Sequence, residues 1–246
     1  MASSSTSFID PESPTSGRAR RRRAYRSVKS TAIISTLLFD WDGTIVDSAQ
    51  LGLNAYQKAF AELDCAFSLQ IYEASYSPNW YQTYEALGLP KEKWARADDL
   101  WRFHYDHETC PIIEGAAAAL LFVRDKGYRL GVVTSGNTDR VNREAKQFGL
   151  IDLFDVIVCH EHIIRRKPHP EGLQIALARL KSRPEECAYV GDAPEDIEMG
   201  KQANTLTVGV RSNYPSSARL LSLAPDIYLE SLTELSNYFP GVSKPE

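Results

Sequence analysis

The chain has 246 residues, 43% of them hydrophobic and 24% charged, enough to bury a full core and ordinary for a globular protein. Its formal charge of −4 divides into +5 over residues 1–30, where seven Lys/Arg face two acids, and −9 over the remainder, which argues against broad nucleic-acid binding by the folded body. The longest apolar runs, such as AAAALLFV at 116–123, are too short to span a membrane, and four scattered cysteines with no CxxC pair argue against a zinc site.

Residues 1–30 are Ser/Thr/Pro-rich and then basic (RARRRRAYR), with no period that could pack. They read as a disordered extension; a targeting arm, a nucleic-acid tether or an anionic-membrane patch are the functional alternatives. With no secretory signal in view, the expectation is a cytoplasmic protein with reduced thiols, organelle targeting by the arm staying open.

From Ser30 onward strand-like and helix-like runs alternate, as in a parallel sheet with crossover helices. Strands are expected at 32–40, 128–135, 155–160, 187–192, 205–210 and 226–230, and helices at 115–127, 138–150, 169–181 and 193–204. The alternation breaks between Asp47 and Pro111, where four helical patterns and a dense set of aromatics occur without a convincing strand. A loop of that length does not fit a compact domain. The expected fold class is therefore α/β, a Rossmann-like parallel sheet flanked by helices. Residues 31–48 and 111–246 would form the core, and 49–110 an inserted all-helical subdomain.

Ligands in open parallel sheets bind beyond the carboxyl ends of the strands. The first strand ends in DWDGT, with Asp40 and Asp42 on one face because strand residues two apart share a face. Like charges that close need a cation, a shared proton or chemistry to offset them. The second strand ends in TSGN (134–137), the loop after the third holds RRKPHPE (165–171), and the fourth ends in GDAPED (191–196).

These four segments, in this order, resemble the motifs of haloacid dehalogenase-superfamily phosphohydrolases, and the resemblance covers residues 33–240. The helical insert lies where the phosphoglycolate phosphatase and β-phosphoglucomutase-like group carries a helical cap. The resemblance implies Asp40 as nucleophile and Asp42 as general acid/base. It also implies Mg2+ held by Asp40, the backbone carbonyl of Asp42, and Asp192, with Asp196 supporting the site. Gly43 would let the chain turn beside the ligand. Thr134, the N–H groups of Ser135 and Gly136, and Asn137 would receive phosphoryl oxygens. Lys167 would place a fixed positive charge against Asp40 and the phosphate, and Tyr76, Asn79, Trp80 and Arg96 are the substrate-contact candidates of the cap. Two departures stand out. Ala193 replaces a hydroxyl residue, and Trp41, between the aspartates, is expected to pack away from them.

The implied activity is that of a Mg-dependent phosphatase, phosphoglycolate phosphatase-like, acting on a small phosphorylated metabolite as a monomer or homodimer. A phosphosugar mutase using the same aspartates and a non-enzymatic phosphate- or partner-binding module are the alternatives. Structural alternatives exist residue by residue: Asp192 or Asp47 as helix caps, Arg165 and Arg166 as surface charges, and the five histidines as solvated or hydrogen-bonded groups.

Overall fold

Six strands pair in parallel in the order β3-β2-β1-β4-β5-β6. They are β1 Thr36–Phe39, β2 Arg129–Val133, β3 Val156–Val158, β4 Cys187–Gly191, β5 Leu206–Val210 and β6 Ile227–Leu229. The computed structural model describes residues 32–106, 108 and 110–242; the basic extension expected at 1–30 lies outside them. Each strand is shorter than its sequence pattern. The first begins at Thr36 because its partners begin opposite that residue, at Arg129 and Cys187, while Ile33 is 60% exposed.

Ten α-helices accompany the sheet among the described residues. They are α1 Ala49–Glu62, α2 Leu69–Ser75, α3 Trp80–Ala86, α4 Trp94–Asp106, α5 Ala116–Asp125, α6 Thr138–Gln147, α7 Glu171–Leu180, α8 Pro194–Gln202, α9 Ser217–Leu220 and α10 Leu235–Tyr238. The apolar residues of β1 point alternately to two clusters, as the two-residue period of a strand requires. Leu37 and Phe39 pack with Leu120 and Val123 of α5 and Val141 and Ala145 of α6. Leu38 packs with Leu173 and Leu177 of α7 and Met199 of α8. Both faces are covered, which is why β1 reads as an unbroken apolar run. None of the helices is long and apolar enough to cross a membrane.

The four helices α1–α4 lie between β1 and α5 and carry a third cluster built on Tyr56, Phe60, Tyr72 and Tyr84. The last helical pattern of this region, KEKWARADDLWRFHYDHE at 91–108, opens as a helix only from its fourth residue. Lys91–Lys93, after Pro90, form a 3-10 turn, and α4 begins at Trp94. The two connections to the sheet run side by side: Asp47 N–H donates to Pro111 O at 2.9 Å and Ile113 N–H to Ile45 O at 2.9 Å. Asp47 does not cap α1; Ser48 holds that position, and Asp47 accepts a hydrogen bond from Asn213.

The strand order reverses direction between β1 and its two neighbours, since β1 is followed in space by β2 on one side and β4 on the other. Side chains at the carboxyl ends of β1, β2 and β4 are thereby brought to one crevice.

Candidate active site

Asp40 follows β1 directly and is 4% exposed. Lys167, 3% exposed, reaches it from the loop before α7, with Nζ 2.8 Å from Asp40 Oδ1 and 2.7 Å from Asp196 Oδ1. Asp196 is held by three donors: Lys167, the Tyr189 hydroxyl at 3.1 Å, and the N–H of Ala193 at 3.0 Å. Ala193 is the N-cap position of α8, so Asp192 stands before the helix and does not cap it. Its carboxylate accepts instead from Thr44 Oγ1 at 3.1 Å and Ser212 Oγ at 2.7 Å.

Oxygens of Asp40, Asp192 and Asp196 lie within 4.8 Å of one another. Were all three buried carboxylates ionised, the one ammonium would leave two negative charges uncompensated. Burial pushes the Asp40 carboxyl up to about 7; Lys167 opposes this and Asp196 adds to it. Burial, then Asp196 and Asp40, drive Asp192 well above the carboxylate range. Burial works against the charge of Lys167, but Asp196 and Asp40 outweigh it and hold the ammonium above its ordinary value. The donor set, all hard oxygen, and the residual charge fit a small divalent cation. Gly43 leaves the room: it sits at φ +78°, and a Cβ there would fall 2.4 Å from Asp192 Oδ2.

Asp42 follows a different path. Its side chain is 21% exposed and is gripped by Arg140, Nη1 to Oδ1 at 2.9 Å and Nη2 to Oδ2 at 2.5 Å, with Ser48 Oγ donating to Oδ1 at 2.7 Å. Burial raises its pKa, yet the Arg140 pair and Ser48 outweigh burial and bring it below the ordinary value. Trp41 is fully buried, its Nε1–H donating to Glu144 at 2.7 Å and its ring edge-on to Phe154.

Thr134 is 3% exposed, and its Oγ1 accepts the N–H of Gly136 at 3.1 Å. That N–H is therefore occupied within the loop. Asn137 is the N-cap of α6, its Oδ1 accepting from Arg140 N–H at 2.8 Å. With Ser135 these residues line a cavity of about 240 Å³ that extends from Asp40, Asp42 and Asp192 to the helices α1–α4. Of the four residues expected to reach substrate from the insert, Tyr76 and Trp80 line this cavity, whereas Asn79 lines a neighbouring depression and Arg96 is exposed outside both.

Arg166 corrects its reading as a surface charge. Its guanidinium lies 3.8 Å from the Trp80 ring centroid and 4.3 Å from that of Tyr81, in the cavity wall. Arg165 is exposed and pairs with Glu171, which also caps the loop by accepting from Ile164 and Arg165 N–H.

Sequence reasoning missed Arg140, Ser48, Thr44, Ser212, Tyr214 and Glu195. Signals existed for some. Arg140, Val141, Glu144 and Ala145 form one buried face of α6, so two charges sat in a core-facing pattern. Ser212 and Tyr214 follow β5, a fifth strand end to which the carboxyl-edge rule was not applied. Ser77 and Glu195, joined by a hydrogen bond of 2.7 Å, and the stacked rings of Tyr76 and Tyr214 were not legible, since each joins the insert to a residue far away in the chain.

A model of the haloacid dehalogenase-like hydrolases matches residues 37–210. Pyrophosphatase PpaX of Listeria monocytogenes is 32% identical over 213 residues, covering 83% of this chain and 96% of that protein. PpaX of Bacillus pumilus is 31% identical over 217 residues, with 82% and 94% covered. Two solved structures share the fold. A predicted phosphoglycolate phosphatase from Haemophilus somnus aligns with TM-score 0.75 at 18% identity, covering 85% of this chain and 99% of that one. CbbY from Rhodobacter sphaeroides in complex with phosphate aligns with TM-score 0.71 at 21% identity, covering 82% and 96%.

Proposed function

The chain belongs to the haloacid dehalogenase-like hydrolases, and from that premise we propose that it is a magnesium-dependent phosphatase that hydrolyses a small phosphorylated metabolite through a phosphorylated Asp40. The observation that carries the reading is the position of Lys167, bridging Asp196 and Asp40, the latter a residue of the cavity lining.

In this reading an Asp40 oxygen attacks phosphorus and the leaving group departs as the P–O bond breaks. Asp42 gives the departing oxygen a proton, then takes one from the water that attacks phosphorus and releases Asp40. Lys167 keeps a fixed positive charge beside the attacking oxygen and the phosphoryl group. The Thr134 hydroxyl, an acceptor toward Gly136, keeps its own proton for a phosphoryl oxygen, and the Ser135 N–H adds a second donor. Asp40, Asp192 and the backbone carbonyl of Asp42 would hold Mg2+, with Asp196 steadying Lys167 beside them. When bound, the ion offsets the charge of the carboxylates and draws electron density from a phosphoryl oxygen.

Residues 49–106 act as a cap over a core of 32–48 and 111–242, and the paired connections at Ile45–Asp47 and Pro111–Ile113 are the hinge. A cap closed over the cavity keeps bulk water from the phosphorylated aspartate. The cavity, about 240 Å³, suits a small substrate. Inorganic pyrophosphate and phosphoglycolate head the panel to be tried, since PpaX is a pyrophosphatase and the Haemophilus somnus protein a predicted phosphoglycolate phosphatase.

The test is a panel of these two compounds and β-glucose 1-phosphate, assayed for free phosphate and for isomerisation of the sugar phosphate. Release of free phosphate without isomerisation is expected. Glucose 6-phosphate formed without free phosphate would replace the phosphatase reading with that of a mutase.

A further inference from the structure

Arg140 is a buried cation that the proposed reaction leaves without a task. It is the third residue of α6, 3% exposed, and meets Asp42 with both arms of its guanidinium. The rest of its surroundings fix the plane of that fork. Nη1 lies 3.2 Å from the Tyr105 hydroxyl and 3.3 Å from Glu144 Oε2, and the guanidinium carbon sits 4.8 Å from the Tyr105 ring centroid. Glu144 is fixed in turn by Trp41 Nε1, the residue between the two aspartates. Gly136 keeps the space open: a Cβ there would fall 2.4 Å from Arg140 Nη2. Any other residue at 136 would displace the fork.

Asp42 is thereby held from two sides. Ser48, the N-cap of α1 and the last residue before the insert, donates to Oδ1 and shares a hydrogen bond of 2.9 Å with Tyr214. Arg140 supplies the paired contact from the sheet side, backed by Tyr105 of α4. A planar fork with two parallel contacts fixes the rotation of a carboxylate, which a single ammonium contact does not. Burying an Arg–Asp–Glu group is costly compared with apolar packing, so stability alone is a poor reason for it.

We propose that Arg140 is the positioning residue for Asp42: its fork and Ser48 fill Oδ1 and take one lone pair of Oδ2, aiming the remaining lone pair of Oδ2 for proton exchange with the leaving-group oxygen and with water. The inference rests on the reading of Asp42 as general acid/base. It differs from a purely structural role, in which Arg140 only fastens α6 to α4, in what its loss should change. Mis-aimed proton transfer hurts substrates whose leaving group needs a proton, and spares those whose leaving group does not.

The experiment compares phenyl phosphate with p-nitrophenyl phosphate, whose departing phenolate is far more stable, in the full chain and its Arg140→Met, Arg140→Lys and Asp42→Asn variants. For Arg140→Met, kcat on phenyl phosphate is expected to fall about 100-fold with KM changed less than about threefold, and the fall on p-nitrophenyl phosphate to be about tenfold smaller. Arg140→Lys, which keeps the charge without the fork and guards against a folding failure, should show the same leaving-group signature at smaller amplitude. In Asp42→Asn, adding Arg140→Met should cost little more. Equal losses on both substrates, or a full further loss in the Asp42→Asn background, overturn the proposal and leave the phosphatase reading standing. An Asp42→Asn variant as fast as the wild type removes Asp42 from the chemistry and the Arg140 proposal with it.

Discussion

Asp40→Asn is expected to lower phosphate release at least about 1000-fold, a loss of about 4 kcal/mol of transition-state stabilisation, without loss of fold. The amide is close in shape but a poor nucleophile, and it keeps Lys167 supplied, since Asp196 remains 2.7 Å away. Stability should move the other way in metal-free protein. Asp40 in the fold is raised from 3.8 to about 7, with burial the largest cause. A carboxyl whose folded value exceeds its unfolded one costs stability as pH rises through that interval. The unfolding midpoint of Asp40→Asn should therefore match the wild type below about pH 4 and exceed it above about pH 7. Thermal unfolding in EDTA at both ends of this range checks the sign; a variant that melts lower at neutral pH would refute the charge account of the cluster.

Lys167→Met should damage both fold and activity. The ammonium is 3% exposed and bridges two buried carboxylates. Removing it leaves Asp40, Asp192 and Asp196 with no cation among them, and breaking a buried pair by deleting one partner costs about 3–5 kcal/mol. Activity should fall at least about 100-fold, as expected when a preorganised charge beside the reacting phosphate is lost. Lys167→Arg should not restore it, because a planar fork does not fill the place of a compact ammonium between two carboxylates. Urea unfolding gives the first effect and phosphate release the second. Unchanged stability in Lys167→Met would contradict the charge balance assigned to the site.

These effects explain which parts of the molecule were legible in its sequence. The sheet was, because strands buried on both faces leave unbroken apolar runs, and TLLF at 36–39 and CAYVG at 187–191 are of that kind. The strand ends were legible too, since polar residues there interrupt an apolar pattern: Asp40, Thr134 and Asp192 all follow their strands directly. Lys167 was found through its motif, as its burial between two aspartates depends on a loop with no local period.

What the sequence hid are partners joined across the fold. Arg140 reaches Asp42 over 98 positions, and Thr44 reaches Asp192 over 148. Local reasoning treats a lone arginine as solvated, which failed for Arg140 in α6 and again for Arg166 in the loop before α7, whose charge lies on the rings of Trp80 and Tyr81. Asn137, expected to touch phosphate, lines the cavity while its carbonyl oxygen serves the first turn of α6, as asparagine at an N-cap does.

The most direct measurement is phosphate release by the purified full chain, over the substrate panel, in magnesium and in EDTA. The account predicts release in magnesium that EDTA abolishes and added magnesium restores. A rate that persists undiminished in EDTA, or no release from any member of the panel, would contradict it.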